Sequence, residues 1–143
     1  MKLLICGGRE YGMKIHKTSR HPVIRLNARQ IRYLFTTLDR IHNETPVTAV
    51  IEGCAPGADT LGGIWAASRG IPIEEFPADW DKDQLSAGPI RNRRQFREGK
   101  PDRGAAFEGG AGTADMVKVM RQGGKIIVAY DSGDRSESTW LPL

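Results

Sequence analysis

The chain has 143 residues, 39% hydrophobic and 27% charged, long enough for one domain with a real buried core. No apolar run approaches the roughly 20 residues of a membrane helix, and two cysteines, Cys6 and Cys54, are too few for a disulfide framework or a zinc site. Twenty-one basic against 17 acidic residues leave a net charge of +4, concentrated at Lys14, Lys17, Arg20, Arg25, Arg29 and Arg32 and again from Arg91 to Arg103; such patches favour polyanions, either nucleic acid or small phosphate ligands.

Lys2 to Cys6 is a continuous apolar run ended by Gly7-Gly8, which predicts a strand buried on both faces rather than a signal peptide. Residues 12–26 are polar, basic and interrupted by Pro22, and are expected as a long loop or hairpin flap. Asn27 caps the first helix, with Gln30 placed for a capping box and Ile31, Leu34, Phe35, Leu38 and Ile41 recurring at helical spacing. A second strand spans Val47 to Ile51.

The turn EGCAPGAD leads into a second helix with Asp59 as its expected N-cap, Leu61, Ile64 and Trp65 as its inward stripe and Gly70 as its stop. The third strand, Ile71 to Phe76, contains Pro72, which cannot donate to a ladder and so places the strand at a sheet edge. A loop with Asp79-Trp80-Asp81 follows, then a short basic helix from Ile90 to Arg97 with Pro89 in its first turn. Ala105 to Phe107 is the fourth strand. The loop Gly109-Gly110-Ala111-Gly112-Thr113 opens a helix with Met116, Val117 and Met120 inward, and Lys125 to Tyr130 is the last strand. In the tail, Trp140 and Leu141 are expected to dock back on the body.

Strands separated by helices at this spacing predict a single α/β, Rossmann-like domain over residues 1–143, with a mostly parallel sheet in the order 3-2-1-4-5 and helices on both faces. In that order the first and fourth strands are neighbours whose connections leave in opposite directions, and ligands bind at such a switch point, outside the carboxyl ends of the strands. Gly7, Gly8 and Arg9 flank that crevice together with Gly109, Gly110, Gly112 and Thr113, whose backbone amides at a helix start suit a phosphate without a metal. Gly53, Gly57, Ala58 and Asp59 form a second glycine loop beside it. Gly88, Arg91 and Asn92 converge on the same crevice, and Tyr11, Trp80 or Phe107 offers a ring for a base. The acid–base candidates Glu10, Asp59, Asp79 and Asp115 show no pairing at a spacing that names a reaction. No metal and no cofactor is expected.

Taken together, GGREY, GCAPGAD, PADW, AGPIRN and EGGAGTADMV resemble the YspA-like, YpsA-related branch of the SLOG superfamily, Rossmann-like proteins related to the LOG phosphoribohydrolases and to Smf/DprA. The resemblance runs from Lys2 to about Tyr130. It implies a domain that binds a nucleotide or nucleotide-derived ligand (nucleoside phosphate or ADP-ribose-like) through its glycine loops, with phosphate at Gly109, Gly110, Gly112 and Thr113. Arg91 and Asn92 match the branch's RN pair, Arg91 standing where LOG enzymes have an arginine implicated in catalysis. Met116 occupies the position of the LOG catalytic glutamate, Glu108 that of a proline and Pro56 that of an arginine. The binding reading therefore comes first, with a hydrolase using Asp115, Glu10 or Arg91 as the alternative and a Smf/DprA-like single-strand binder last. A cytoplasmic homo-oligomer without membrane attachment is expected.

Overall fold

The computed structural model describes residues 1–17 and 20–133; the expected docking of Trp140 and Leu141 lies outside them. Five parallel strands form the central sheet: β1 (Lys2–Cys6), β4 (Ala49–Glu52), β5 (Ile73–Glu75), β6 (Arg103–Phe107) and β7 (Ile126–Tyr130), in the order β5-β4-β1-β6-β7. This numbering departs from 3-2-1-4-5 because the segment expected as a long loop or hairpin flap is a hairpin with two strands of its own, β2 (Met13–His16) and β3 (Val23–Leu26), paired antiparallel apart from the central sheet. The strand that Pro72 leads into, β5, is at the edge of the sheet, where a residue without a donor is tolerated.

Alternation along the central strands divides the core in two. Leu3, Ile5, Val50, Ala105 and Phe107 point to one face, where they meet Leu34, Leu38 and Ile41 of α1 (Ala28–Glu44) and Ala58, Leu61 and Trp65 of α2 (Ala58–Ser68). Leu4, Cys6, Ile51, Ala106 and Ile127 point to the other, where Met116, Val117 and Met120 of α5 (Ala111–Gln122) close the second layer. Phe96 of α4 (Ala87–Gly99) packs at its margin. A strand covered on both sides has no polar alternation to show, which is why β1 and β4 read as unbroken apolar runs.

Local details revise three expectations. Asn27 caps α1 by accepting from the Gln30 amide at 3.1 Å, but the Gln30 side chain accepts from Gly12 N at 2.7 Å instead of completing a capping box. The N-cap of α2 is Gly57, with φ of 82°, and Asp59 lies inside the first turn. Ile64 is 52% exposed, so the inward stripe of α2 is Ala58, Leu61 and Trp65. A short helix, α3 (Trp80–Asp83), capped by Asp79, and a 3₁₀ turn lead into α4.

Candidate functional site

A cleft of about 990 Å³ opens at the carboxyl ends of β1 and β6, between the hairpin, α3, α4 and the start of α5. Its floor joins the two strand ends: Gly8 N donates to Glu108 O at 2.9 Å. Gly109 is pressed between them, since a Cβ there would stand 2.2 Å from Thr113 Oγ1 and 2.7 Å from Gly8 N. Gly110 and Gly112 differ, because a Cβ on either would meet nothing within 4 Å. They open the loop to a ligand at the point where the first amides of α5 have no partner within the helix. Thr113 is buried and lines the cleft beside them.

The second glycine loop holds the site together from behind. Ala58 N donates to Gly8 O at 3.1 Å, the carbonyl that also accepts from Tyr11 N. A Cβ on Gly57 would fall 2.1 Å from that oxygen, and the positive φ adds a second reason for glycine. Gly57 and Ala58 thus support the turn after β1, Gly53 packs against Arg91 and Asp59, and only Ala55 and Asp59 of this loop reach the cleft wall. Asp59 is buried and accepts from Ala55 N at 3.2 Å. Burial raises its carboxyl to about 7, against the opposing pull of the Ala55 amide and the Arg91 guanidinium. Arg91 Nη1 donates to Gly53 O at 2.6 Å and its Nε to Asn92 Oδ1 at 3.1 Å.

Other expected residues reach the cleft with their chemistry already engaged. The Asp115 carboxylate takes Asn92 Nδ2 at 2.9 Å and Arg93 at 3.1 and 3.3 Å. Burial pushes it up, but the hydrogen bonds from Arg93 and Asn92 outweigh this and hold it below the ordinary carboxylate value. Glu10 is exposed and lies 3.7 Å from Lys14 Nζ. Tyr11 packs its ring on Phe107 at 5.4 Å and donates its hydroxyl to Gln30 O at 3.1 Å. Phe107 is fully buried and lies outside the cleft lining, so it offers no face for a base. Trp80 does: it is 47% exposed at the rim, with the Arg9 guanidinium 6.0 Å from its ring centre and the Gly88 turn beside it. Met116, only 1% exposed, contributes an apolar edge to the floor.

Several lining residues escape a sequence reading. Met13, Lys14, Arg25 and Leu26 bring the hairpin into the wall. Gln95 is 3% exposed, lines the cleft, and has no hydrogen-bond partner among the described residues; its position one turn past Asn92 on α4 is the one local signal for it. Buried Glu108 accepts from the Ser132 amide and from Ser132 Oγ at 2.7 Å, fastening the segment after β7 to the glycine loop. Away from the cleft, ligand atoms of Glu52, Cys54 and Glu75 lie within 4.8 Å of one another. Burial and the two carboxylates push the Cys54 thiol up to about 12, which keeps it protonated and poorly nucleophilic.

A five-stranded parallel sheet covered on both faces, with its cleft at the switch point between β1 and β6, defines a Rossmann-like α/β protein. The model of the YspA, cpYpsA-related SLOG family matches residues 1–82, more than half of the chain, and the chain belongs to that family. The matched span holds Gly7 to Tyr11 and Gly53 to Asp59, whereas Gly88 to Asn92 and Gly109 to Thr113 lie beyond it. No curated protein and no solved structure is significantly similar to the chain. Among the described residues no helix is long and apolar enough to cross a membrane.

Proposed function

We propose that the cleft binds a nucleotide or nucleotide-derived phosphate ligand, of the nucleoside phosphate or ADP-ribose type. The observation that carries this reading is the open face of Gly110 and Gly112 at the first turn of α5, inside a cleft of about 990 Å³. Free amides and the positive end of the helix favour a phosphate there, and Arg9 on the facing loop adds a cation. Trp80, exposed at the rim, suits stacking of a base. Membership of a SLOG family supports a nucleotide-related ligand. A thermal-shift panel of AMP, ADP-ribose and NAD, with native mass spectrometry of the purified protein, tests the reading. A rise in Tm with at least one of them is expected; no rise with any phosphate compound sinks it.

One observation favours a second, hydrolytic reading. Asp59 lines the cleft with a carboxyl near neutrality, the range in which a general acid works. In this reading Asp59 gives its proton to the leaving purine as the C–N bond breaks, while water attacks the sugar carbon and releases its own proton to solvent. Release of adenine from AMP, abolished in Asp59→Asn, is the expected result; its absence from the wild type leaves binding alone.

A further inference from the structure

α4 turns Gly88, Arg91, Asn92 and Gln95 to the cleft, at the i, i+3, i+4 and i+7 positions of one helix face. Two of the three polar side chains on that face are already engaged. Arg91 donates to Gly53 O and to Asn92 Oδ1, and Asn92 gives both amide hydrogens to α5. Gln95 is the exception: it is 3% exposed, and its amide bonds to no other described residue. Among those residues the fully enclosed side-chain polar atom without a partner is Arg103 Nε, so the Gln95 amide opens on the cleft. A polar group at that depth calls for a partner that the protein itself does not supply.

The glycine loop sets the place of this amide. Asn92 touches Gly112 O at 3.1 Å, and Gln95 comes one turn later on α4, a rise of about 4.5 Å. Met116 follows Gly112 by one turn on α5, and it lines the cleft together with Gln95, Cys6 and Asp59. A Cβ on Gly53 would meet Arg91 Nη1 at 2.4 Å and Asp59 Oδ2 at 2.9 Å, which puts the Asp59 carboxyl beside the helix that carries Gln95. An amide and a carboxyl over the apolar Cys6 and Met116 thus lie next to the phosphate seat, while Trp80 stands at the rim.

We propose that Gln95 is the residue that discriminates the sugar of the ligand, its carboxamide hydrogen-bonding a ribose hydroxyl, so that the cleft prefers ribonucleotides to deoxyribonucleotides. This rests on the reading of the cleft as a nucleotide site and adds which part of the ligand is selected. In a nucleotide the sugar is bonded directly to the phosphate, so it falls within about one helix turn of the glycine loop, and the base lies further out toward Trp80. Each sugar hydroxyl is both donor and acceptor, and the carboxamide offers both functions without a charge that would repel the phosphate. Asp59 supplies a further polar contact for the hydroxyls, and Cys6 and Met116 pack against the ring carbons.

The test is calorimetric titration with AMP, 2′-deoxy-AMP and 3′-deoxy-AMP on the wild type and on Gln95→Leu, with the unbranched Gln95→Met as a second variant. The wild type is expected to bind AMP about fivefold tighter than at least one of the deoxy compounds, the contribution of one hydrogen bond. In both variants affinity for AMP falls by about that factor while affinity for that deoxy compound is little changed, so the preference shrinks to about twofold or less. A glutamine that merely supports the fold weakens all three compounds alike; a preference that survives in the variants therefore overturns the proposal. Equal affinities for the three in the wild type overturn it as well and leave the nucleotide reading standing. Failure of all three to bind overturns the sugar contact, and failure of ADP-ribose and NAD besides overturns the nucleotide reading too.

Discussion

Asn92 gives both hydrogens of its side-chain amide to α5, one to the Gly112 carbonyl at 3.1 Å and one to the Asp115 carboxylate at 2.9 Å. Its oxygen accepts from Arg91 Nε, so the side chain keeps no donor and a single acceptor lone pair for a ligand. Asn92 acts by fixing the height of the glycine loop against α4. Asn92→Ala leaves the Asp115 carboxylate and the Gly112 carbonyl short of a donor and is expected to cost about 1–3 kcal/mol in urea unfolding. Asn92→Asp sets a second carboxylate against the first and costs more. Equal stability of the wild type and both variants contradicts the role.

Two glycines of one loop are expected to respond in opposite ways. Gly109→Ala forces a methyl into Thr113 Oγ1 and Gly8 N, 2.2 and 2.7 Å away, and destabilises the protein. Gly112→Ala meets no atom within 4 Å and lies in a helix, where the change gains roughly 0.5–1 kcal/mol. Its methyl projects into open space at the loop, so ligand affinity falls while Tm rises. A Gly112→Ala protein that binds as tightly as the wild type removes phosphate from this position.

The pH dependence follows from Asp59. Its carboxyl is ordinarily at 3.8 and stands at about 7 in the fold, raised by burial. Between those values the folded protein keeps a proton that the unfolded chain has released. Stability from this group is therefore full below about 4, falls as pH rises, and levels off above about 7. Asp59→Asn removes the dependence, so its margin over the wild type widens at up to about 1.4 kcal/mol per pH unit across that window. Parallel stability profiles from pH 4 to 8.5 contradict the assignment. Affinity for a phosphate diester, whose own charge is constant over this range, is expected to weaken above pH 7 in the wild type only.

Gln95 offers a contrast between stability and binding. Among the described residues the buried side-chain polar atom without a partner is Arg103 Nε, so the Gln95 amide, which borders the cleft, is reached by solvent and carries no such penalty. Gln95→Leu, of similar length, is expected to leave Tm of the unliganded protein little changed and to weaken the ligand that meets the amide. Comparing Gln95→Leu with Gln95→Glu by thermal melt, with and without AMP, separates the two effects. A leucine variant that binds AMP as tightly as the wild type removes the amide from the site.

The layers were legible because their signals are local. KLLIC followed by two glycines declares a buried strand, and Pro72 declares an edge, with no reference to anything distant. Asp59 escaped because capping depends on the backbone angle at Gly57, and an acidic residue in the first turn resembles a cap in sequence. Residues 12–26 were legible only as a loop or hairpin flap, because four-residue strands such as MKIH and VIRL are too short to show a sustained period that would decide between the two. The hairpin's place in the cleft wall is a tertiary fact. Gln95 and Glu108 were invisible for the same reason, since one lacks a partner and the other finds it 24 residues away in Ser132. The glycine loops stood out because turns and helix starts write their needs into adjacent residues.

The chain enters the hairpin at Gly12 and leaves it at Asn27, and Asn27 N donates to Gly12 O at 2.9 Å. Fourteen residues therefore depart and return across one hydrogen bond, leaving the end of β1 and the cap of α1 where they would be without the excursion. The hairpin is a cassette. Its length, charge and tip can change in evolution or by design without moving the glycine loops, so ligand preference and the architecture of the phosphate seat are free to diverge on separate schedules.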